Sequence, residues 1–322
     1  MSGDEGARDQ AWPRLDVGGA AETRRTLLLW AQIVGKTRLA LAPMLNHWWQ
    51  VPLYVSARGL TTSKIPYGDR AFDVELDLLA HKLVLRTSGG GLDAIDLREQ
   101  LLPDFYRGYL DRLAALGIDV SIHPFAVEMA DSIRFDRDAL SCGYDPDWAN
   151  RFFRALLQAD RLLDEFRGAF IGKASPVHFF WGAFDLAVTR FSGRRAPRHP
   201  GGFPHVADRV MQEAYSHEVS SAGFWPGDDR FGEAAFYAYA YPEPEGFAKA
   251  AVQPSTARYD PLLGEFVLPY AAVRRAADPA ADVRAFLATT YAATADLAGW
   301  NRAELERDVV YGNDRTIQEA PP

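Results

Sequence analysis

Apolar positions recur at helical spacing over residues 22–42, where Leu27, Leu28, Ala31, Val34 and Leu39 share a stripe. The period then shortens to the alternation of strands. Strand text runs through about 49–60, 71–79, 81–87 and 92–97, and the glycine run at 87–91 breaks it as a turn. A helix is predicted over about 99–116, with Leu102, Phe105, Tyr109, Leu113 and Leu116 on one face. Residues 118–129 read as one more strand. Periodicity fades over 130–146 and then restarts. A long helix is predicted at about 147–171, from Phe152, Leu156, Leu163, Phe166 and Phe170. Strands follow at about 177–192, 214–224, 234–241 and 264–270, and a last helix at about 280–298.

The two halves share an order of helix, strands, helix. "IVGK" (33–36) and "FIGK" (170–173) each close the first helix of their half, and each precedes a histidine followed by two rings: His47-Trp48-Trp49 and His178-Phe179-Phe180. The gapless identity between the two stretches is near chance, so the shared order is what suggests an internal duplication. The expectation is an α+β fold of two pseudo-repeated lobes, each an antiparallel sheet of about four strands flanked by helices, packed into one compact unit. The boundaries predicted are a flexible lead-in over 1–20, from which Trp12 is able to dock on the body, a first lobe over 21–130, a linker over 131–146, a second lobe over 147–310 and a flexible tail over 311–322.

Composition narrows the function classes. The chain has 322 residues and a net charge of −8, so it repels a phosphate backbone and nucleic-acid binding is not expected. Cys142 is the single cysteine, which excludes an internal disulfide and a multi-cysteine metal site. The first residues lack a basic segment followed by an apolar core, and no apolar run reaches the roughly 20 residues of a membrane helix, so a cytoplasmic protein without membrane partners is expected.

The candidate chemistry lies in the second half. Read as one strand, 177–192 places His178, Phe180, Phe184 and Arg190 on one face and Trp181, Asp185 and Phe191 on the other. Rings on both faces predict a central strand, in which Asp185 must be paired or protonated. Within 213–227, His217 and Glu218 point to opposite sides. Tyr237, Tyr239 and Tyr241 share a face and suit a pocket wall as well as a plain sheet surface. Arg190, Arg194 and Arg195, with the basic loop at 192–205, suit a carboxylate or phosphate. His178, Asp185, His217 and Glu218 are the catalytic candidates. Arg190, Arg194, Arg195, Trp181, Tyr237, Tyr239, His47 and Arg58 are the ligand-binding candidates. A metal held by His178, His199 or His217 with Asp185 or Glu218 stays open, and no cofactor is indicated. "VGKTR" at 34–38 lacks the earlier glycine of a phosphate loop, and neither G-x-G-x-x-G after a strand nor H-E-x-x-H occurs.

The texts "WAQIVGKTRLALAPMLNHWWQVPLYVSARGLTTS", "SPVHFFWGAFDLAVTRFSGRRAPRHPGG" and "EAYSHEVSSAGFWPG" resemble a bacterial family of uncharacterised proteins, defined only as a conserved domain of unknown function. The likeness runs from Trp12 to about Leu305. It implies one architectural unit over that length and carries over no activity and no catalytic residue. Three functions follow from the residues alone: an enzyme acting on a small, anionic molecule in an aromatic-walled pocket of the second lobe, a non-catalytic small-molecule binding protein, or a scaffold whose aromatic strands are only core. Substrate and oligomeric state are not written in the sequence.

Overall fold

The computed structural model describes residues 9–139 and 141–307. Residues 1–8 of the expected lead-in and the expected tail over 311–322 lie outside them. Helix α1 (Ala21–Leu41) precedes strands β1 (Tyr54–Val55), β2 (Gly59–Thr61), β3 (Ile65–Tyr67), β4 (Arg70–Asp77), β5 (Lys82–Thr87) and β6 (Leu92–Asp96). Strand β7 (Gln100–Leu101) leads into helix α2 (Leu102–Ala115) and pairs with β8 (Ser141–Cys142). Helix α3 (Pro146–Gly168) opens the second half. It is followed by β9 (His178–Phe180), β10 (Asp185–Arg195), helix α4 (Asp208–Ala214), β11 (His217–Trp225), β12 (Ala235–Tyr241), β13 (Arg258–Asp260) and β14 (Glu265–Pro269). Helices α5 (Tyr270–Arg275), α6 (Pro279–Leu297) and α7 (Arg302–Leu305) complete the chain. Among the described residues, no helix is long and apolar enough to cross a membrane.

The fold is α+β, with two antiparallel sheet lobes. The first sheet runs β1-β2-β4-β5-β6, with β3 on β4, and the second runs β13-β14-β12-β11-β10-β9. Each has six strands where about four are expected. The surplus consists of pieces such as β1, β3, β9 and β13, of two or three residues, too short to leave a periodic trace.

Four predicted strands differ from the structure. Residues 49–60 follow a 3-10 turn at Asn46–Trp48 and hold only the short strand β1 and the start of β2. Residues 118–129 make only an isolated bridge between Phe125 and Arg134. There the side-chain amide of Gln32 on α1 donates to Val127 O at 2.9 Å and accepts from Val127 N at 2.8 Å, doing the work of a neighbouring strand. Residues 177–192 are a hairpin rather than one strand. Phe184 takes a positive φ of 61°, and β9 folds back on β10 with Asp185 opposite Phe180 and Ala187 opposite His178. Residues 214–224 begin with the end of α4, so β11 starts at His217. β10 is flanked by β9 and β11, as a central strand requires.

α3 and α6 cover one face of the second sheet. Both helices start on a capped proline: Asp145 accepts from Asp147 N and Trp148 N, and Asp278 from Ala281 N. The covered face carries Leu186, Val188, Phe224, Phe236 and Leu268, all buried. One connected core draws on both halves. The stretch over 131–146 is held by α1: Arg25 pairs with Asp138 at 2.7 Å, Thr26 Oγ1 donates to Gly143 O at 2.9 Å and Asp145 N donates to Thr23 Oγ1 at 2.9 Å. Trp12, in the expected lead-in, is buried, and its carbonyl accepts from Arg274 at 2.7 Å.

The two sheets meet at one backbone pair. Leu53 N donates to Phe179 O at 2.9 Å, and Phe179 N donates to Leu53 O at 2.8 Å. Beside this pair, Trp181 Nε1 donates to Val51 O at 2.9 Å and its ring lies on α1 at Gly35. A Cβ on Gly35 would fall 2.2 Å from that ring. Gly35→Ala is therefore expected to destabilise by about 1–3 kcal/mol through overpacking, although alanine favours a helix by about 1 kcal/mol. Chemical denaturation checks it, and an unchanged or raised midpoint would show that Trp181 yields without cost.

Candidate functional site

Alternation fixes the outer face of the second sheet. The register sets Thr189 beside Ser221 and Ser221 beside Tyr239; it sets Ala187 beside Gly223 and Gly223 beside Tyr237. Small residues on β10 and β11 leave room for the tyrosines of β12. Gly223 is obligatory here, since a Cβ would fall 2.0 Å from Leu186 O and 2.5 Å from the Tyr237 hydroxyl. The Tyr237 hydroxyl donates to the Asp185 carboxylate in a short hydrogen bond. Tyr215 and Tyr239 share a hydroxyl contact of 2.6 Å, and Thr189 and Ser221 one of 3.0 Å. His199 stacks on Tyr215 with ring centres 4.9 Å apart and lies 5.0 Å from Tyr241, closing one end.

Three carboxyls converge on this face. Burial pushes Asp185 up to about 6, against the Tyr237 hydrogen bond. Burial, and then the charge of Asp185, push Glu128 up to about 7 and Glu265 up to about 8. Asp185, Glu265, Tyr215 and Tyr239 are all half-buried on this face, and the area they frame is the candidate recess. Glu128 is exposed as a residue, yet its carboxylate turns inward, where a Cβ on Gly182 would fall 2.1 Å from its oxygen. Glu128 has φ 59°, and its backbone N donates to Pro204 O at 2.8 Å, which ties its segment to the 196–207 loop over the recess.

The other candidates are distributed around this centre. His178 is fully enclosed by Trp49, Tyr54 and Phe180, and neither ring nitrogen has a partner. Burial, with Arg38 and Arg167 nearby, lowers it to about 3, so its imidazole is neutral. Arg190 points to the helix side of the sheet. Its guanidinium lies 3.4 Å from the Phe166 ring centre and 4.3 Å from that of Tyr291, and it donates to Phe166 O. Arg194 pairs with Glu218 at 2.7 Å and reaches Ala298 O at 2.6 Å. Arg195 is exposed and sits opposite His217 in the ladder. His217 Nδ1 lies 3.1 Å from the Ser216 hydroxyl, and Glu218 is held by Ser192 and Arg194 on the opposite side of β11. Trp181 is buried at the junction, His47 is buried beside α4, and Arg58 belongs to the first sheet, bonded to Asp77. The recess thus gathers Asp185, Tyr237 and Tyr239 from the candidates. It adds Glu128, Glu265 and Tyr215, which periodicity did not mark. Glu128 sits in a false strand, and Glu265 is an ordinary polar position of a short strand.

Among the described residues, no group of three or more histidine, cysteine, aspartate or glutamate side chains is arranged to hold a metal. Two clefts lie elsewhere. One, of about 380 Å³, is bordered by Arg14, Asp16, Tyr270 and Arg274. The other, of about 250 Å³, is bordered by Tyr54, Asp160, Asp164 and Arg167.

The chain belongs to a family whose model, described as a family of unknown function (DUF5996), matches residues 12–307. No curated protein and no solved structure matches it significantly.

The carboxyls set a pH dependence. Asp185 and Glu265 are raised above the ordinary carboxyl values, so protonation favours the folded state. Their contribution is complete below about pH 4 and is lost as pH rises through about 6 for Asp185 and about 8 for Glu265. Glu265→Gln is expected to melt above wild type at about pH 8.5, with the gap narrowing toward about pH 5. Thermal melts across that range check it; a gap that stays constant or widens on acidification would contradict the burial of this carboxyl.

Proposed function

We propose that the recess on the second sheet binds a small organic cation or a polar neutral molecule. The observation that carries this reading is the convergence of Asp185, Glu128 and Glu265 on a tyrosine wall. Aromatic faces and carboxylates both favour a cation, and the same acids repel an anion. Of the arginines that suggest an anion in the sequence, Arg190 lies under rings and Arg194 pairs with Glu218. Among the described residues, no histidine ring hydrogen-bonds a carboxylate; their ring partners are carbonyls, hydroxyls, Lys173 and Gly201 N. At the recess, that favours non-catalytic binding over histidine-based catalysis. An acid–base enzyme is the second reading, supported by the Tyr237–Asp185 bond beside carboxyls that titrate around neutrality. A cytoplasmic location belongs to the proposal and is supported by the single cysteine.

Benzyltrimethylammonium and benzoate are matched probes of opposite charge, and isothermal titration reads both. Benzyltrimethylammonium is expected to bind more tightly as pH rises from about 5.5 to 8.5, because a cation displaces protons from the carboxyls. Asp185→Asn is expected to weaken it by about tenfold. Equal or tighter binding of benzoate would overturn the reading.

A further inference from the structure

At the far end of the outer face, beyond the tyrosines, Lys173 meets His47. Lys173 lies between α3 and β9, and its carbonyl accepts from Phe191 N at 3.0 Å. Its Nζ is 2.6 Å from His47 Nε2. His47 Nδ1 is 3.0 Å from Ala214 O, and a carbonyl only accepts, so Nδ1 carries the hydrogen and Nε2 offers its lone pair to Lys173.

His47 is closely fixed. Its φ is 58°, its backbone N donates to the Glu213 carboxylate at 3.3 Å, and its ring packs 4.7 Å from Phe191 and 5.3 Å from Trp49. Glu213 is the carboxylate facing Lys173 and His217 is the second ring beside His47, at 5.9 Å. Among the described residues, no carboxylate forms an ion pair with Lys173; its other neighbours are the faces of Trp49 and Phe191, at 5.3 and 4.9 Å. Burial lowers the Lys173 ammonium from its ordinary value, with Glu213 opposing, and burial also lowers His47. Lys173 nevertheless remains exposed, so a reagent reaches it. An amine, a base in hydrogen-bond reach and a third group orienting that base form the arrangement that activates a nucleophile.

We propose that Lys173 is a nucleophilic amine, assisted by His47, that captures an aldehyde as an imine. The ammonium first loses a proton to His47 or to water. The nitrogen lone pair then forms the C–N bond while the carbonyl π pair moves to oxygen. His47 carries one proton from nitrogen to that oxygen to give the carbinolamine, then carries the second nitrogen proton to the same oxygen, and water leaves as the C=N bond forms. One aldehyde and one amine give one imine and one water, with no oxidant or reductant. The flanking Trp49 and Phe191 rings favour an aromatic aldehyde. This inference uses none of the recess carboxyls and stands independently of what the recess binds.

The test is reductive trapping with benzaldehyde and sodium cyanoborohydride, read by peptide mass mapping over time. The chain has five lysines, and Lys64 and Lys249 are exposed internal controls. Lys173 is expected to gain the benzyl group about tenfold faster than either control. Lys173→Arg is expected to abolish that label alone, and His47→Phe to slow Lys173 to the control rate with the circular dichroism spectrum preserved. His47→Gln replaces His47→Phe if the latter unfolds, and the wild-type comparison needs no variant. Labelling of wild-type Lys173 no faster than Lys64 and Lys249, or an unchanged rate in a folded His47 variant, would overturn the proposal.

Discussion

Leu53 and Phe179 exchange both of their backbone hydrogen bonds, and at this pair the two sheets become one structure. An unpaired strand edge leaves donors and acceptors that must find partners when buried, and here each sheet supplies them to the other. The rings around the pair are crossed between the halves. Lys36 on α1 lies 5.4 Å from the ring of Trp181 in the second half, and Lys173 lies 5.3 Å from the ring of Trp49 in the first. Trp181 approaches α1 closely because residue 35 is glycine, and its indole hydrogen goes to Val51 O.

This joint sets the positions of the chemical groups. Folding 177–192 into a hairpin brings His178 and Asp185 to the same side of the sheet, where a continuous strand would hold them apart. Parity along β10 then separates the outer face from the core: Asp185, Thr189 and Phe191 face outward, while Leu186, Val188 and Arg190 face the helices. The outer face divides in turn. One end is acidic and phenolic, and the other carries the lysine and histidine contributed around the joint.

The long periodic elements were legible in the sequence. α1, α2, α3 and α6, with β4, β5, β12 and β14, fall close to the stretches that spacing predicts, because each buries a regular face. The strand expected at 118–129 failed because its hydrogen-bonding partner is the Gln32 side chain, which leaves no pattern in the segment itself. The hairpin at 184 depends on a phenylalanine with positive φ, a conformation that residue identity gives no reason to expect. Asp185, Tyr237 and Tyr239 stand out in the sequence because a carboxylate among rings and a tyrosine row are visible in one strand at a time. Glu128 and Glu265 join them only through tertiary contact. Lys173 stands in the repeated Gly-Lys text, but its meeting with His47 follows from the crossing of the halves.

The central claim is that the Leu53–Phe179 pair makes the two sheets one cooperative unit, and native-state hydrogen exchange tests it most directly. The amides of Leu53 and Phe179 are expected to exchange only through the same global opening that exposes β4 and β10, with matching dependence on denaturant. Exchange of these two amides by a local opening, while both sheets stay protected, would contradict it.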